Sequence, residues 1–309
     1  MNSIRFDGRV AIVTGAGRGI GKAHAQLLAE RGASVVINDL GGTRAGADSD
    51  PDVAAAAAEE IRAAGGAAIA DGSDVASVPG AAQLVEHAID AFGRVDILVN
   101  NAGMYTPDAF PQLDVSEFRR YFDVHVGGSF NVTRACWPHM ARAGYGRVIM
   151  TTSHGIFGAP FLTSYGTAKG GTFALGRGLA TIGADIGIKV NIVAPEAATR
   201  LTSGSSGDDV PQERAPALVS PLVALLCHES CPVNGETFLS GGRRYARIVL
   251  AEADGYLHPD FGVTPEAVCA HWPEIMDVSA LDIPADTLTW VDANHAKITA
   301  SPPSLKEMT

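Results

Sequence analysis

The feature that most constrains this chain comes near its start. An apolar, β-rich run at residues 9–14 (RVAIVT) stops at Gly15 and passes into Gly15-Ala16-Gly17-Arg18-Gly19-Ile20-Gly21, followed by a helical pattern over residues 22–30 (KAHAQLLAE). A strand, a glycine turn and a helix in that order predict a β–α unit whose chain must return to a parallel neighbour. Glycines let backbone N–H groups approach a pyrophosphate, and the helix N-terminus adds roughly half a positive charge. The same alternation recurs. Further strands are expected at residues 34–40, 67–70, 95–99, 147–151, 189–193 and 237–239. Helical stretches separate them at residues 53–64, 81–92, 114–142, up to 184, and 215–227. The pattern predicts an α/β fold, a Rossmann-like doubly wound parallel sheet.

The second expected strand ends in Asp39, eighteen residues beyond Gly21. A carboxylate there can accept hydrogen bonds from both ribose hydroxyls and repels a 2′-phosphate, which selects NAD over NADP. Arg18 is the contrary signal, since an arginine in the turn could meet a 2′-phosphate. The acidic strand end carries more weight, because a buried like-charge clash is costly. Asp74-Val75 is placed to cover an adenine ring, with Asp74 either accepting from the exocyclic amine or capping a turn. Asn100-Asn101-Ala102-Gly103 closes the fourth strand, where amide side chains can satisfy backbone groups and small residues leave room for a cofactor.

Residues 150–171 (MTTSHGIFGAPFLTSYGTAKGG) hold the chemistry-bearing side chains. Tyr165 and Lys169 are four apart, so on a helix they share one face. A free phenol titrates near ~10, and using it as a base near neutrality means lowering it by roughly 3 units, or about 4 kcal/mol. One cation at ~4 Å in an effective dielectric of ~20 supplies about 4 kcal/mol. Lys169 is therefore a perturbation of the right size. Ser153 and Thr152, twelve and thirteen residues before the tyrosine, can hydrogen-bond a substrate oxygen.

With 309 residues, 46% of them hydrophobic, the chain is ample for a sizeable core. The net charge of −11 argues against a nucleic-acid partner, which needs a basic face. The start has too short an apolar run for a secretory signal, and no stretch is long enough to be read as a membrane span. Cys136, Cys227, Cys231 and Cys269 are too few and scattered for a disulfide framework, and Cys227/Cys231 lack the second pair that a zinc site needs. The last residues form no peroxisomal tripeptide. A soluble, reducing, cytoplasmic setting with no metal is expected. Residues 199–213 (TRLTSGSSGDDVPQE) read as a polar loop of the kind that forms a mobile lid or a linker. Residues 1–242 are read as one domain and 243–309 as a helical extension, including RRYARIVLAEA (residues 243–253). Arg243, Arg244 and Arg247 form either a contact for phosphates or a solvated face.

Thr14-Gly15-x-x-x-Gly19-Ile20-Gly21, Asn100-Asn101-Ala102-Gly103 and Tyr165-x-x-x-Lys169, in this order and spacing, resemble the short-chain dehydrogenase/reductase family over about the first 242 residues. Residues 38–42, 124–140, 220–235 and 264–272 resemble its (3R)-hydroxyacyl-CoA dehydrogenase branch. The resemblance implies about seven parallel strands, NAD as cofactor, a homodimer or homotetramer, and oxidation of a secondary alcohol. A (3R)-hydroxyacyl-CoA is the substrate implied, with a hydroxysteroid (17β-type) or steroid side-chain acyl-CoA as the alternative. A nucleotide-binding scaffold without chemistry is the rival from another class. Tyr165 is then the base, Lys169 holds the nicotinamide ribose, and Ser153 or Thr152 positions the alcohol oxygen. His125 stands where most of the family carries asparagine, and the backbone carbonyl there is implied to hold a proton-relay water.

Overall fold

The structure, a computed structural model, describes residues 3–201 and 210–299. Seven parallel strands form its centre: β1 (Val10–Thr14), β2 (Ser34–Asn38), β3 (Ala67–Asp71), β4 (Ile97–Asn100), β5 (Gly146–Thr151), β6 (Ile188–Glu196) and β7 (Thr237–Gly241). An eighth, β8 (Arg244–Ile248), pairs antiparallel with β7, and the order is β3-β2-β1-β4-β5-β6-β7-β8. The helices are α1 (Gly19–Glu30), α2 (Asp52–Ala63), α3 (Val78–Phe92), α4 (Val115–Tyr121), α5 (Gly128–Ala143), α6 (Thr163–Gly183) and α7 (Ser220–Cys227).

Successive residues of a strand face opposite sides of the sheet, and both sides here are covered. Ala11 and Val13 of β1 join one core layer with Leu28, Ala57, Ile61 and Val223 from α1, α2 and α7. Ile12 between them joins the other layer with Leu84, Val132 and Met140 from α3 and α5. Burying a Leu or Ile side chain of this kind contributes roughly 1.5–3 kcal/mol. This two-sided burial is why the strands read as nearly continuous apolar runs. The strand order reverses between β1 and β4, which opens a crevice at the carboxyl ends of those two strands.

Two expected elements take a different form. Residues 243–253, expected to be helical, instead supply β8 and a short strand. Gly242 and Arg243 both have positive φ, 56° and 62°, and they form a two-residue turn that folds β8 back on β7. The open edge of β7 outweighs the local helical pattern. The single helix expected over residues 114–142 is divided into α4 and α5 by a π-helical turn, Phe122–Gly127, which carries His125.

The chain divides into two compact units, Met1–Ile248 and Val249–Thr309, so the division falls after β8. The second unit contains a two-stranded antiparallel ribbon, β9 (Glu252–Ala253) with β10 (Leu281–Asp282), and α8 (Pro265–Ala270), α9 (Trp272–Ile275) and α10 (Thr287–Thr299). Inside it Tyr256 stacks on His271 at 3.8 Å and Lys297 pairs with Asp254 at 3.0 Å. Phe261, Trp272 and Leu288 are exposed. Among the described residues no helix is long and apolar enough to cross a membrane.

Candidate active site

The crevice between β1 and β4 is held by side-chain to backbone bonds. Thr14 Oγ1 accepts from the N–H groups of Asn101 and Ala102, both at 3.0 Å. Asn101 Nδ2 donates back to the carbonyls of Thr14 and Gly15 at 3.0 and 3.1 Å. The glycine turn is thereby locked to the end of β4. Gly15 has φ +61°, and a Cβ there would lie 2.8 Å from Ala102 Cα, so the position excludes a side chain twice over. Gly17, Gly19, Ile20 and Gly21 follow at the start of α1, with Arg18 exposed. At the end of β2, Asp39 Oδ2 accepts from Gly17 N at 2.9 Å and Oδ1 from Gly41 N at 2.8 Å. An ionised carboxylate offers about four acceptor positions, so each oxygen keeps one for a ribose hydroxyl. Asp74 is exposed and accepts from Ala76 N at 2.9 Å, the turn-capping arrangement, while Val75 beside it is buried.

The other side of the crevice is formed by β5, α6 and the loop after β4. Asp108 receives Thr163 N at 3.1 Å and Ser164 N at 2.6 Å, so its carboxylate caps the helix that carries Tyr165 and Lys169. Lys169 is buried, and its Nζ donates to Thr151 O at 2.7 Å. Thr152 Oγ1 donates to Lys169 O at 2.8 Å, which commits that hydroxyl to the helix backbone. Ser153 faces Tyr165: a Cβ at Gly155 would touch both the serine hydroxyl and the tyrosine ring at 3.4 Å. The Tyr165 ring meets His125 and Tyr105 edge-on, at 5.5 and 5.4 Å between centroids. The buried His125 ring shares Nε2 with the backbone of Met104, at 3.0 Å to its oxygen and 3.3 Å to its nitrogen.

Residues 9–207 match the short chain dehydrogenase family. The chain is a short-chain dehydrogenase/reductase. It is 43% identical over 280 residues to the peroxisomal multifunctional enzyme type 2 of Drosophila melanogaster, a match covering 89% of this chain and 46% of that protein. The structure of that full-length enzyme superposes with a TM-score of 0.79 at 32% identity, over 95% of this chain and 50% of the other. This chain therefore spans about half the length of that relative. A protein of Mycobacterium tuberculosis described as a short-chain type dehydrogenase/reductase is 40% identical over 278 residues, covering 89% of this chain and 96% of its own. A 7α-hydroxysteroid dehydrogenase, solved with NADH and 7-oxo glycochenodeoxycholic acid, superposes with a TM-score of 0.69 at 31% identity, over 78% of this chain and 97% of that one. As a member of the family the chain is an oxidoreductase acting on CH–OH groups, related to the dehydrogenase unit of the multifunctional enzyme.

The electrostatics of this dehydrogenase correct one sequence expectation. Tyr165 was expected to be lowered by Lys169, but desolvation by the surrounding protein raises its phenol, and the Ser153 hydroxyl only partly opposes this. Burial likewise pushes Lys169 down to about 7. The reason is geometric. Nζ sits 5.7 Å from the centre of the tyrosine ring and turns toward the Thr151 carbonyl, and a lysine near 7 carries only part of its charge at neutrality. Burial, then the charge of Lys169, also holds His125 well below the usual imidazole range. The His125 carbonyl, expected to hold a relay water, accepts from Ser129 Oγ at 2.7 Å, while Thr172 Oγ1 lies 3.4 Å away and closer to Ala168 O, at 3.1 Å. Its Nδ1 is buried without a partner among the described residues.

Sequence reasoning missed Asp108, because no local motif marks a cap that reaches a helix 55 residues away. It also missed the polar group beside Ser153, where Glu196 lies 3.3 Å from Arg214 and 3.9 Å from His154. Of the three arginines near residue 245, Arg247 forms a two-point pair with Glu236 at 2.6 and 2.8 Å, the mark of a solvated structural face. Residues 202–209 of the expected lid or linker loop, and 300–309 of the extension, lie outside the described residues.

Proposed function

We propose that this enzyme oxidises a secondary alcohol to a ketone with NAD, and that its substrate is a (3R)-hydroxyacyl-CoA. The observation that carries this reading is the convergence of the Tyr165 ring, Ser153 and the buried Lys169 beside the crevice that Gly15 and Asp39 flank. The residues fit a dinucleotide: a backbone cradle that a Cβ at Gly15 would fill, and a carboxylate with spare acceptor positions. Gly15, Gly17, Arg18, Gly19, Ile20 and Gly21 would hold the pyrophosphate side, Asp39 the ribose, Asp74 and Val75 the adenine, and Asn101, Ala102, Gly103, Tyr165 and Lys169 the nicotinamide side. The bound cofactor supplies the hydride acceptor.

The protein's part is to position and to move a proton. Ser153 orients the alcohol oxygen and Tyr165 removes its proton, a role in which the positive charge of a bound nicotinamide ring would offset the desolvation that raises the phenol. Lys169, held by Thr151, sets the tyrosine's surroundings and the ribose position. His125 contributes its imidazole, which fixes the Met104 backbone through Nε2 and packs beside Gly103. A second reading, a hydroxysteroid or steroid side-chain acyl-CoA as substrate, is favoured by the likeness to 7α-hydroxysteroid dehydrogenase. NADH formation measured against a panel of (3R)- and (3S)-hydroxyacyl-CoAs and hydroxysteroids tests both. Turnover of the (3R)-thioesters alone supports the first reading, turnover of free steroids alone replaces it, and no turnover with any of them sinks the catalytic reading in favour of a scaffold.

A homodimer or homotetramer in a cytoplasmic, reducing setting completes the proposal, although the multifunctional relatives are named peroxisomal. The exposed Phe261, Trp272 and Leu288 support burial of the second unit against a partner. Light scattering on a chain ended after Ile248 is expected to report a smaller or aggregating particle. An unchanged oligomer would remove the second unit from the interface.

A further inference from the structure

Two arginines tie together the two sides of the crevice. Residues 41–50 follow β2 and residues 197–201 follow β6, and in the sheet β1, β4 and β5 lie between those strands. Arg44 Nη2 donates to Leu201 O at 2.6 Å, and Arg200 Nη2 donates to Gly42 O at 3.1 Å. Each arginine thus reaches from its own side to a backbone carbonyl on the other. The 41–50 loop is fastened further along, where Tyr105 N donates to Arg44 O at 3.0 Å and Arg120 Nη2 donates to Gly46 O. Thr199 lies over the glycine turn, 3.5 Å from where a Cβ of Gly19 would stand. The paired arginines therefore bracket the turn at the N-terminus of α1.

Among the described residues the charge at this place leans positive. Partial burial and the neighbouring Arg18 and Arg44 lower Arg200, and among the described residues Asp39 is the carboxylate acting against them. Among the described residues neither Arg44 nor Arg200 has a carboxylate ion-pair partner; both are held by neutral carbonyls. A guanidinium has five N–H donors in a planar fork, and oxyanions are its strongest partners. One donor of each arginine is used on the opposite loop, which fixes the fork while other donors remain.

We propose that Arg44 and Arg200 are phosphate-binding residues of the dinucleotide site, each holding the opposite loop with one N–H and a phosphate oxygen of the cofactor with others. The inference rests on the dinucleotide reading above and adds to the glycine turn a two-sided cationic strap. The phosphate is the pyrophosphate common to both cofactors.

The test is competition against NADH fluorescence on the full chain, with ADP, adenosine and NADPH as competitors, for the wild type, Arg44→Gln and Arg200→Gln. Each change is expected to weaken ADP and NADH about tenfold, with adenosine changed less than about twofold, because only the phosphate contact is lost. A loss confined to NADPH overturns the proposal, since the arginines then meet a 2′-phosphate and not the pyrophosphate. Equal losses for ADP and adenosine, or no loss for any competitor, overturn it, since the arginines then only hold loops. Where a glutamine variant does not fold, Arg44→Lys and Arg200→Lys keep the cation without the fork, and they are expected to weaken ADP more than adenosine. A wild type that binds neither NADH nor ADP removes the dinucleotide reading itself, whereas firm binding by the wild type with indifferent arginines removes this inference alone.

Discussion

At the Asp39 end of the crevice the charged groups stay near water and bond mainly to backbone, whereas at the Tyr165 end the ionisable groups are packed away from it. Asp39 receives two backbone N–H groups and Arg18 is exposed. Lys169 and His125 are buried, and burial moves Lys169 to about 7 and His125 far down. The first end works by the position and sign of fixed charges, which a neighbour in water screens only in part. The second works through desolvation, which can displace a titration by several units and is removed by small changes of packing. One end should therefore control which cofactor binds, and the other how fast the chemistry runs.

The largest expected effect tests that separation. Tyr165→Phe keeps the ring against His125 and Tyr105 and removes only the titrating oxygen; turnover should fall roughly a thousandfold or more while NADH binding stays within a few-fold. A parallel loss of NADH affinity would mean the two ends are not separable. Next comes the pair of hydroxyls. Ser153→Ala should lower kcat roughly a hundredfold. Thr152→Ala removes the bond to Lys169 O, worth about 1 kcal/mol, together with a buried methyl, and should cost less than about tenfold in kcat. The reverse ranking would assign the substrate oxygen to Thr152.

A smaller effect is expected at the opposite end. Asp39→Ala should reduce the preference for NAD over NADP on the order of tenfold, with kcat for NAD nearly unchanged; comparable kcat/KM for both cofactors in the unaltered enzyme would defeat the idea. The smallest effect concerns stability. Lys169 titrates near 7 when folded and near 10.5 when unfolded, so between those values the unfolded chain binds more protons. Stability from this group therefore rises as pH rises from about 7 toward 10 and is flat below about 7. Melting temperatures across that range should climb by a few degrees more in the wild type than in Lys169→Met. Equal slopes would show that the lysine is not desolvated.

Much of this was legible in the residues, for identifiable reasons. Strands buried on both faces, punctuated by glycine turns, state the β–α alternation locally, and the three motifs state which strand ends meet. Asp108 was illegible because its partners are backbone N–H groups of a remote helix, and any acidic residue in that loop would look the same. His125 could be placed by resemblance, but not the 3.4 Å approach of Thr172 to its carbonyl, which depends on the π-helical turn and α6 lying side by side.

The sequence by itself determined the sheet, the glycine turn, the acidic end of β2 and the Tyr165–Lys169 spacing, because each follows from residue type and separation along the chain. Only the tertiary structure decided that residues 244–248 complete a sheet rather than a helix, since the unpaired edge of β7 is not written in their own pattern. It also decided the electrostatics of the site. Spacing places a lysine near a tyrosine, but the direction in which each titrates depends on how much water the fold removes and where Nζ turns. Here desolvation raises Tyr165, lowers Lys169 and sends its ammonium to the carbonyl of Thr151.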